Sequence, residues 1–244
     1  MSWNDRLYMY AQERGGEYFG GMTGHWMESE FGSDGVLLLE YRGQPVVVRC
    51  DTHQSRYSYS NTARVLLRCE LERDYSLSIS AKGMARKGLN TVLSGLDKGA
   101  DLLNRDVDLY RDYGFPEVTA GRKIKTSDPE FTQMVLRDLE LRNVLQANPA
   151  FQLRIRKCAP ECVSDSRHLI LAKCEMGSST SLEPYQWDIE DVDRDYLTPD
   201  QQLAALKGGN FPEKLDALIA LAQAAHNAVT AWRMPVKTGK KIDK

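Results

Sequence analysis

No stretch of this chain approaches the ~18 consecutive apolar residues that a membrane-spanning helix requires, so no span is expected. The opening residues, Met1-Ser2-Trp3-Asn4-Asp5-Arg6, have no basic segment leading into an apolar one, and no export signal is read there. Cysteine is scarce and odd in number. Cys50, Cys69, Cys158, Cys162 and Cys174 are spread through 244 residues, unlike the disulfide framework of a short secreted chain. Asn-x-Ser/Thr acceptor sites are missing as well. These absences together give the expectation of a reducing, cytoplasmic setting. An excess of basic residues is also lacking. The formal net charge is −2, which argues against a chain-wide polyanion binder and leaves only a local basic patch open.

Signatures of catalysis are absent too. There is no G-x-S-x-G elbow, no H-E-x-x-H pair and no Walker lysine behind a glycine-rich loop. Gly20-Gly21-Met22-Thr23-Gly24 has neither the spacing nor the strand-to-helix context of a dinucleotide site. His25, His53, His168 and His226 are dispersed, and nothing in the sequence draws them into a triad. His226 is expected to flank the apolar face of the last helix, in a structural role.

What is present is strong patterning. Hydrophobic residues make up 42% and charged residues 27%, so the chain can bury a sizeable core and disorder is not the default. Trp3, Leu7, Tyr10 and Ala11 mark one face of a first helix, ended by Gly15 and Gly16. Val36–Tyr41 and Val46–Cys50 read as a hairpin around Arg42-Gly43-Gln44-Pro45. Val65, Leu67, Cys69 and Leu71, then Tyr75, Leu77 and Ile79, alternate with residues that are polar except for Leu66. Period two of this kind means one buried and one wet face, the antiparallel habit.

The period then changes. Leu89, Val92, Leu93, Leu96, Ala100 and Leu103 predict an amphipathic helix. A short strand near Arg122–Thr126 leads into Asp128-Pro129-Glu130, an Asp cap with proline in the first turn, which predicts a helix running to Asn148. Phe151, Leu153 and Ile155 alternate with Gln152, Arg154 and Arg156, and His168–Cys174 is the expected partner strand. Thr198-Pro199-Asp200-Gln201 starts a short helix that ends at Gly208-Gly209. A longer one runs from Pro212 to Trp232 on a face of Leu215, Leu218, Ala222, Ala225, Val229 and Trp232. Strands in runs, not in alternation with helices, predict an α+β fold of antiparallel meanders packed with amphipathic helices. It is read as one domain over 1–233, with strand-then-helix units at 1–104 and 120–233 as a possible subdivision. A disordered basic tail is expected over 234–244.

Four clusters carry chemistry on paper. Cys158, Cys162, His168 and Cys174 are residue types that can close a zinc site, but the spacing is poor and idle cysteines are the plainer expectation. Asp191, Asp193 and Asp195 imitate the start of a calcium loop, which Tyr196 and Gln202 then break. Lys82, Arg86 and Lys87 precede the helix at Leu89, where the dipole disfavours cations; a bound anion would offset that, and a solvated loop is the favoured reading. Arg154 and Arg156, with Arg122, Lys123 and Lys125 on a neighbouring strand, form a cationic surface able to meet phosphates. It lacks interleaved aromatics, and ordinary salt bridging with nearby acids is favoured there.

The segment Gly121-Arg122-Lys123-Ile124-Lys125-Thr126-Ser127-Asp128-Pro129-Glu130-Phe131, followed by Phe151-Gln152-Leu153-Arg154-Ile155 and a hairpin, resembles a loose group of uncharacterised bacterial proteins. The resemblance extends over most of 5–225. It implies an α+β fold of unknown function and carries over no catalytic or binding residue. Some members look membrane-anchored. The functional expectation is a non-enzymatic module that binds or assembles with protein, itself or another. It has no cofactor, metal or membrane span, and nucleic acid is not the expected partner. A thiol- or metal-dependent enzyme using Cys158, Cys162 and His168 and an anion or nucleic-acid binder using Lys82, Arg86 and Lys87 are the alternatives.

Overall fold

A computed structural model describes residues 3–20, 35–54, 58–81, 112–158, 165–180 and 211–234. The chain is α+β. Its eight strands are β1 (Glu17–Phe19), β2 (Val36–Tyr41), β3 (Gln44–Gln54), β4 (Ser58–Glu70), β5 (Leu77–Ala81), β6 (Arg122–Thr126), β7 (Gln152–Lys157) and β8 (Arg167–Thr180). Five described helices accompany them: α1 (Trp3–Glu13), α2 (Pro116–Thr119), α3 (Pro129–Val135), α4 (Leu139–Ala147) and α5 (Phe211–Ala231). The helices predicted at Leu89–Leu103 and after Thr198 lie outside the described residues, as do Asp191, Asp193 and Asp195.

The strands form one sheet in the order β1-β2-β3-β4-β8-β7-β5-β6, and every ladder is antiparallel. The β7–β8 hairpin therefore sits between β4 and β5, so strands from the two halves of the chain interleave. At the β2–β3 turn, Arg42 and Gly43 both have positive φ, 51° and 72°. This is the two-residue turn whose twist suits a hairpin, so Gln44 and Pro45 belong to β3 and not to the turn.

The alternation read from the sequence is the buried face. Val65, Leu67, Cys69, Leu77, Ile79, Leu153 and Ile155 are each at most 2% exposed. The central strands carry small residues there, Ala63 and Ala172, and α5 packs across β4 and β8 with its own alanines, Ala222, Ala224, Ala225 and Ala228, buried. Small residues on both surfaces let a helix lie close to a sheet without voids. Trp232 does not belong to this stripe. It follows the last turn of α5 and is 40% exposed, because the helix ends at Ala231. Met234, assigned to the tail from sequence, is buried.

The helix expected from Pro129 to Asn148 is two helices. Asp128 caps α3 by accepting from the Phe131 N–H at 3.0 Å, and Asp138 caps α4 by accepting from the Leu141 N–H at 2.8 Å. A side-chain acceptor that satisfies a fresh N-terminus competes with a continuous helix. Arg122 is likewise not part of the cationic surface. It is buried, and its guanidinium donates to the carbonyls of Leu145 (2.6 Å), Asn148 (2.9 Å) and Phe151 (3.0 Å). A cation thereby sits on the C-terminal carbonyls of α4, where the helix dipole favours it.

At the other edge, α1 ends in Gly15 and Gly16. Gly15 has φ 65°, and the Gly16 N–H donates to the Ala11 carbonyl at 2.8 Å while that of Gly15 reaches Gln12, a Schellman closure. The next clamp joins α1 to α5. Arg14 lies over the Tyr10 ring at 3.7 Å and binds Asp216 through two nitrogens, 2.6 and 2.9 Å, while the Tyr10 hydroxyl donates to the same carboxylate. Burial works to raise the Asp216 carboxyl, but the hydrogen bonds from Arg14 and Tyr10 and the Arg14 charge outweigh it and hold the carboxyl below its ordinary range.

Two outcomes test these supports. Arg122→Met should lower stability by about 2–4 kcal/mol in chemical denaturation, since three carbonyls lose their donor, and Arg122→Lys should recover only part of it. The folded Asp216 carboxyl is depressed, so its contribution is fully present above the unfolded value of ~3.9 and is lost as pH falls through the folded one. The stability gap between the wild type and Asp216→Asn should accordingly be flat from neutral pH to about 4 and shrink below it.

Candidate functional site

Helices cover one face of the sheet; the opposite face is open among the described residues. Its side chains form a row that crosses seven strands, since Leu38 pairs with Val47, Val47 with Leu66, Leu66 with Leu171, Leu171 with Arg154, Arg154 with Ser78 and Ser78 with Lys125. Leu38, Val47, Leu66 and Leu171 are only half-buried. An aliphatic band over β2, β3, β4 and β8 therefore gives way to a polar, cationic quadrant over β7, β5 and β6.

Charge is distributed unevenly over this face. Arg49 and Arg64 both pair with Asp51, at 2.8 and 3.1 Å, and Arg68 pairs with Glu70 at 2.9 Å. Cations on β3 and β4 are thus largely neutralised. Arg154, Arg156, Lys123 and Lys125 have no ion pair among the described residues, so no described acid supplies the salt bridging expected for them. The acids around the end of β5 are engaged elsewhere: Asp74 with Lys157 at 2.9 Å, and Asp128 with Arg73 at 2.6 Å.

Between β5, β6 and β7 lies an open depression of about 380 Å³. Ser76, Ser78, Lys125, Thr126, Ser127, Arg154 and Arg156 line it, together with Leu77 and Ile155. The floor is shaped by the neighbouring hydrogen bonds. The Ser127 hydroxyl oxygen accepts from the Ser76 N–H at 2.9 Å, and the Ser127 N–H donates back to the Ser76 carbonyl at 3.0 Å. Behind it, the hydroxyls of Thr126 and Thr132 are 2.7 Å apart and that of Tyr75 reaches Thr132 at 2.8 Å. A surface with donors and fixed positive charge but no enclosed apolar volume suits an anionic group, not a buried organic cofactor.

The cysteine–histidine set does not assemble. His168 is fully buried and both ring nitrogens are in use: Nε2 accepts from the Tyr75 N–H at 3.1 Å, so Nδ1 carries the proton that goes to the Ser166 carbonyl at 2.8 Å. No lone pair remains for a metal. Cys174 is on the same strand and face, six residues on, and a rise of ~3.3 Å per residue separates the two by about 20 Å. Cys158 is exposed, and Cys162 lies outside the described residues. Among the described residues no group of three His, Cys, Asp or Glu stands ready to hold a metal ion. Burial pushes the thiols of Cys50, Cys69 and Cys174 up to about 12, the range of an inert core thiol.

His226 is buried on α5 with its ring edge-on to Tyr41 at 6.0 Å, beside the apolar stripe as expected; burial, then the Arg42 charge, holds it below its ordinary range. Lys82, Arg86, Lys87, His25 and the His53 side chain lie outside the described residues. No helix among the described residues is long and apolar enough to cross a membrane.

Comparison with protein-family models, curated proteins and solved structures finds no match to this chain.

Alternation in the sequence puts Arg154 and Arg156 on one wet surface with Lys123 and Lys125, and with Arg122, which the structure buries instead. It also turns Ser76, Ser78 and Ser80 to solvent, but nothing local says that β7 is the neighbour of β5, so the two sets are not joined. In a Cys162→Ser background, native protein should release one fast-reacting thiol to a disulfide reagent, that of Cys158. Cys50, Cys69 and Cys174 should react only at the rate of unfolding, and three slow thiols becoming fast in the folded protein would contradict their burial.

Proposed function

We propose that the chain is a non-enzymatic binding module that engages an acidic segment of another protein through the open face of its sheet. The observation that carries this reading is the juxtaposition on one surface of a half-buried aliphatic band and a quadrant of cations that no described acid pairs with. Six strand steps of ~4.8 Å make the face about 29 Å wide, and β4 and β8 run the longest across it. That is room for the ~800 Å² per partner of an ordinary protein contact. The composition fits as well, since interfaces combine an apolar centre with arginine at its margin. Charge complementarity selects the partner, because Arg154, Arg156, Lys123 and Lys125, which no described acid neutralises, favour carboxylates and repel a basic surface. Catalysis by Cys158, Cys162 and His168 finds no support, as the His168 ring is committed to the backbone on both sides.

A photo-crosslinking residue placed at Leu66 or Leu171, and as a control at the exposed helical position Leu139, tests the assignment in cells. The open-face positions should give a discrete adduct whose partner peptide, mapped by mass spectrometry, is acidic. Arg154→Glu with Arg156→Glu should diminish that adduct at least about fivefold, the ~1 kcal/mol scale of a charge contact at a protein surface. Equal adducts from Leu139, or adducts indifferent to charge reversal, would remove the open face as the contact surface.

A further inference from the structure

We propose that the depression between β5, β6 and β7 is a receptor for a phosphate monoester carried on a protein segment; this rests on the open face being the contact surface. Ser78 stands at its centre. Its cross-strand partner is Arg154 on one side and Lys125 on the other, so two cations flank a side chain too short to fill the space between them. The two outer backbones are two strand spacings apart, about 10 Å, a gap that a tetrahedral oxyanion and two converging side chains occupy. Arg156 lines the same depression, with Ser76 and Ser127 at its rim. Because the Ser127 oxygen already accepts from the Ser76 N–H, its hydroxyl proton is left to donate outward.

Charge and geometry favour phosphate over carboxylate. Arg154, Arg156 and Lys125 bring three positive charges to one depression. A monoester carries close to two negative charges at neutral pH and offers three acceptor oxygens; a carboxylate brings one charge and two oxygens. Guanidinium forks bind two such oxygens at once, and the serine hydroxyls reach the remainder.

The surroundings say what bears the phosphate. Leu171 is the direct partner of Arg154 and opens the aliphatic band, so a ligand seated here continues over apolar ground, as a peptide with an apolar side chain near its phosphorylated residue does. Single-stranded nucleic acid would use aromatic platforms for its bases, and β5, β6 and β7 contain no aromatic residue.

The test is a titration of the full chain followed by amide chemical shifts. Inorganic phosphate is added first. An acidic, leucine-containing peptide follows in phosphoserine, serine and glutamate forms, and then single-stranded RNA. Saturable shifts confined to 76–78, 125–127 and 154–156 are expected with phosphate. The phosphopeptide should bind at least about tenfold tighter than its serine and glutamate forms, the scale of one additional hydrogen bond to a charged group. Arg154→Gln with Lys125→Gln should erase that preference. Ser78→Leu, which fills the depression without changing charge, should erase it too, with thermal melting confirming that both variants fold. Shifts scattered over every cationic surface, equal affinity for the three peptides, or tighter binding of RNA would each overturn the proposal. Crosslinks from Leu66 to an unphosphorylated acidic partner would sink it while leaving the open face as contact surface.

Discussion

The connection from Leu71 to Ser76 carries the chain from β4 to β5 past the ends of two strands that come later in sequence, and the His168 ring fixes its course. Three strand spacings, about 14 Å, have to be crossed by backbone with no ladder partner of its own. Three contacts hold it in place. The Leu71 N–H donates to the Ser166 carbonyl at 3.0 Å, the Tyr75 N–H donates to His168 Nε2, and Lys157 reaches Asp74. Ser166 accepts from both Leu71 and the His168 ring, so a single carbonyl ties the crossover to the inserted hairpin. An unmet buried N–H at this place would cost about 1–3 kcal/mol. It would also loosen the pairing of β5 with β7, on which the cationic quadrant depends.

This explains the limits of what could be read from the residues alone. Alternation in Val65–Leu71, Tyr75–Ile79 and Phe151–Ile155 reports the side each residue faces, a local property of the pleat, and these faces are the buried ones. Strand order is not local. β4 and β5 are a few residues apart and read as neighbours, yet the β7–β8 hairpin separates them, because the choice is made by His168 and Ser166 from far along the chain. The same holds for the depression: Ser78, Lys125 and Arg154 come from three separate stretches, and only the pairing of β5 with both β6 and β7 brings them together.

Other departures have local causes that periodicity does not weigh. Asp138 interrupts a run that is helical by its apolar spacing, because its carboxylate offers the Leu141 N–H a better start than a continued turn does. Arg122 is one residue from Lys123, and parity alone sends the arginine inward to α4 and the lysine outward to solvent. Three cations on a five-residue strand thus divide into one that closes a helix terminus and two that face the quadrant. Residue type does not distinguish them; the pleat does.

The serines of β5 are the harder feature to account for by folding alone. Ser78 and Ser80, with Ser76 just ahead of the strand, lie on the open face; at 78 and 80 threonine or valine would raise strand propensity, on a scale that spans about 1 kcal/mol per residue. Ser78 stands between Arg154 and Lys125, cations that repel one another across the sheet, and like charges brought close on one face also oppose pairing. Larger residues at 76 and 78 would cover the backbone and keep Arg154 and Lys125 apart. A sheet selected for stability only would fill this gap or neutralise it, as Asp51 neutralises Arg49 and Arg64 on the same face. Among the described residues neither remedy is used in this quadrant, beside a band where the second is, and the proposed anion receptor gives that difference a reason that folding alone does not.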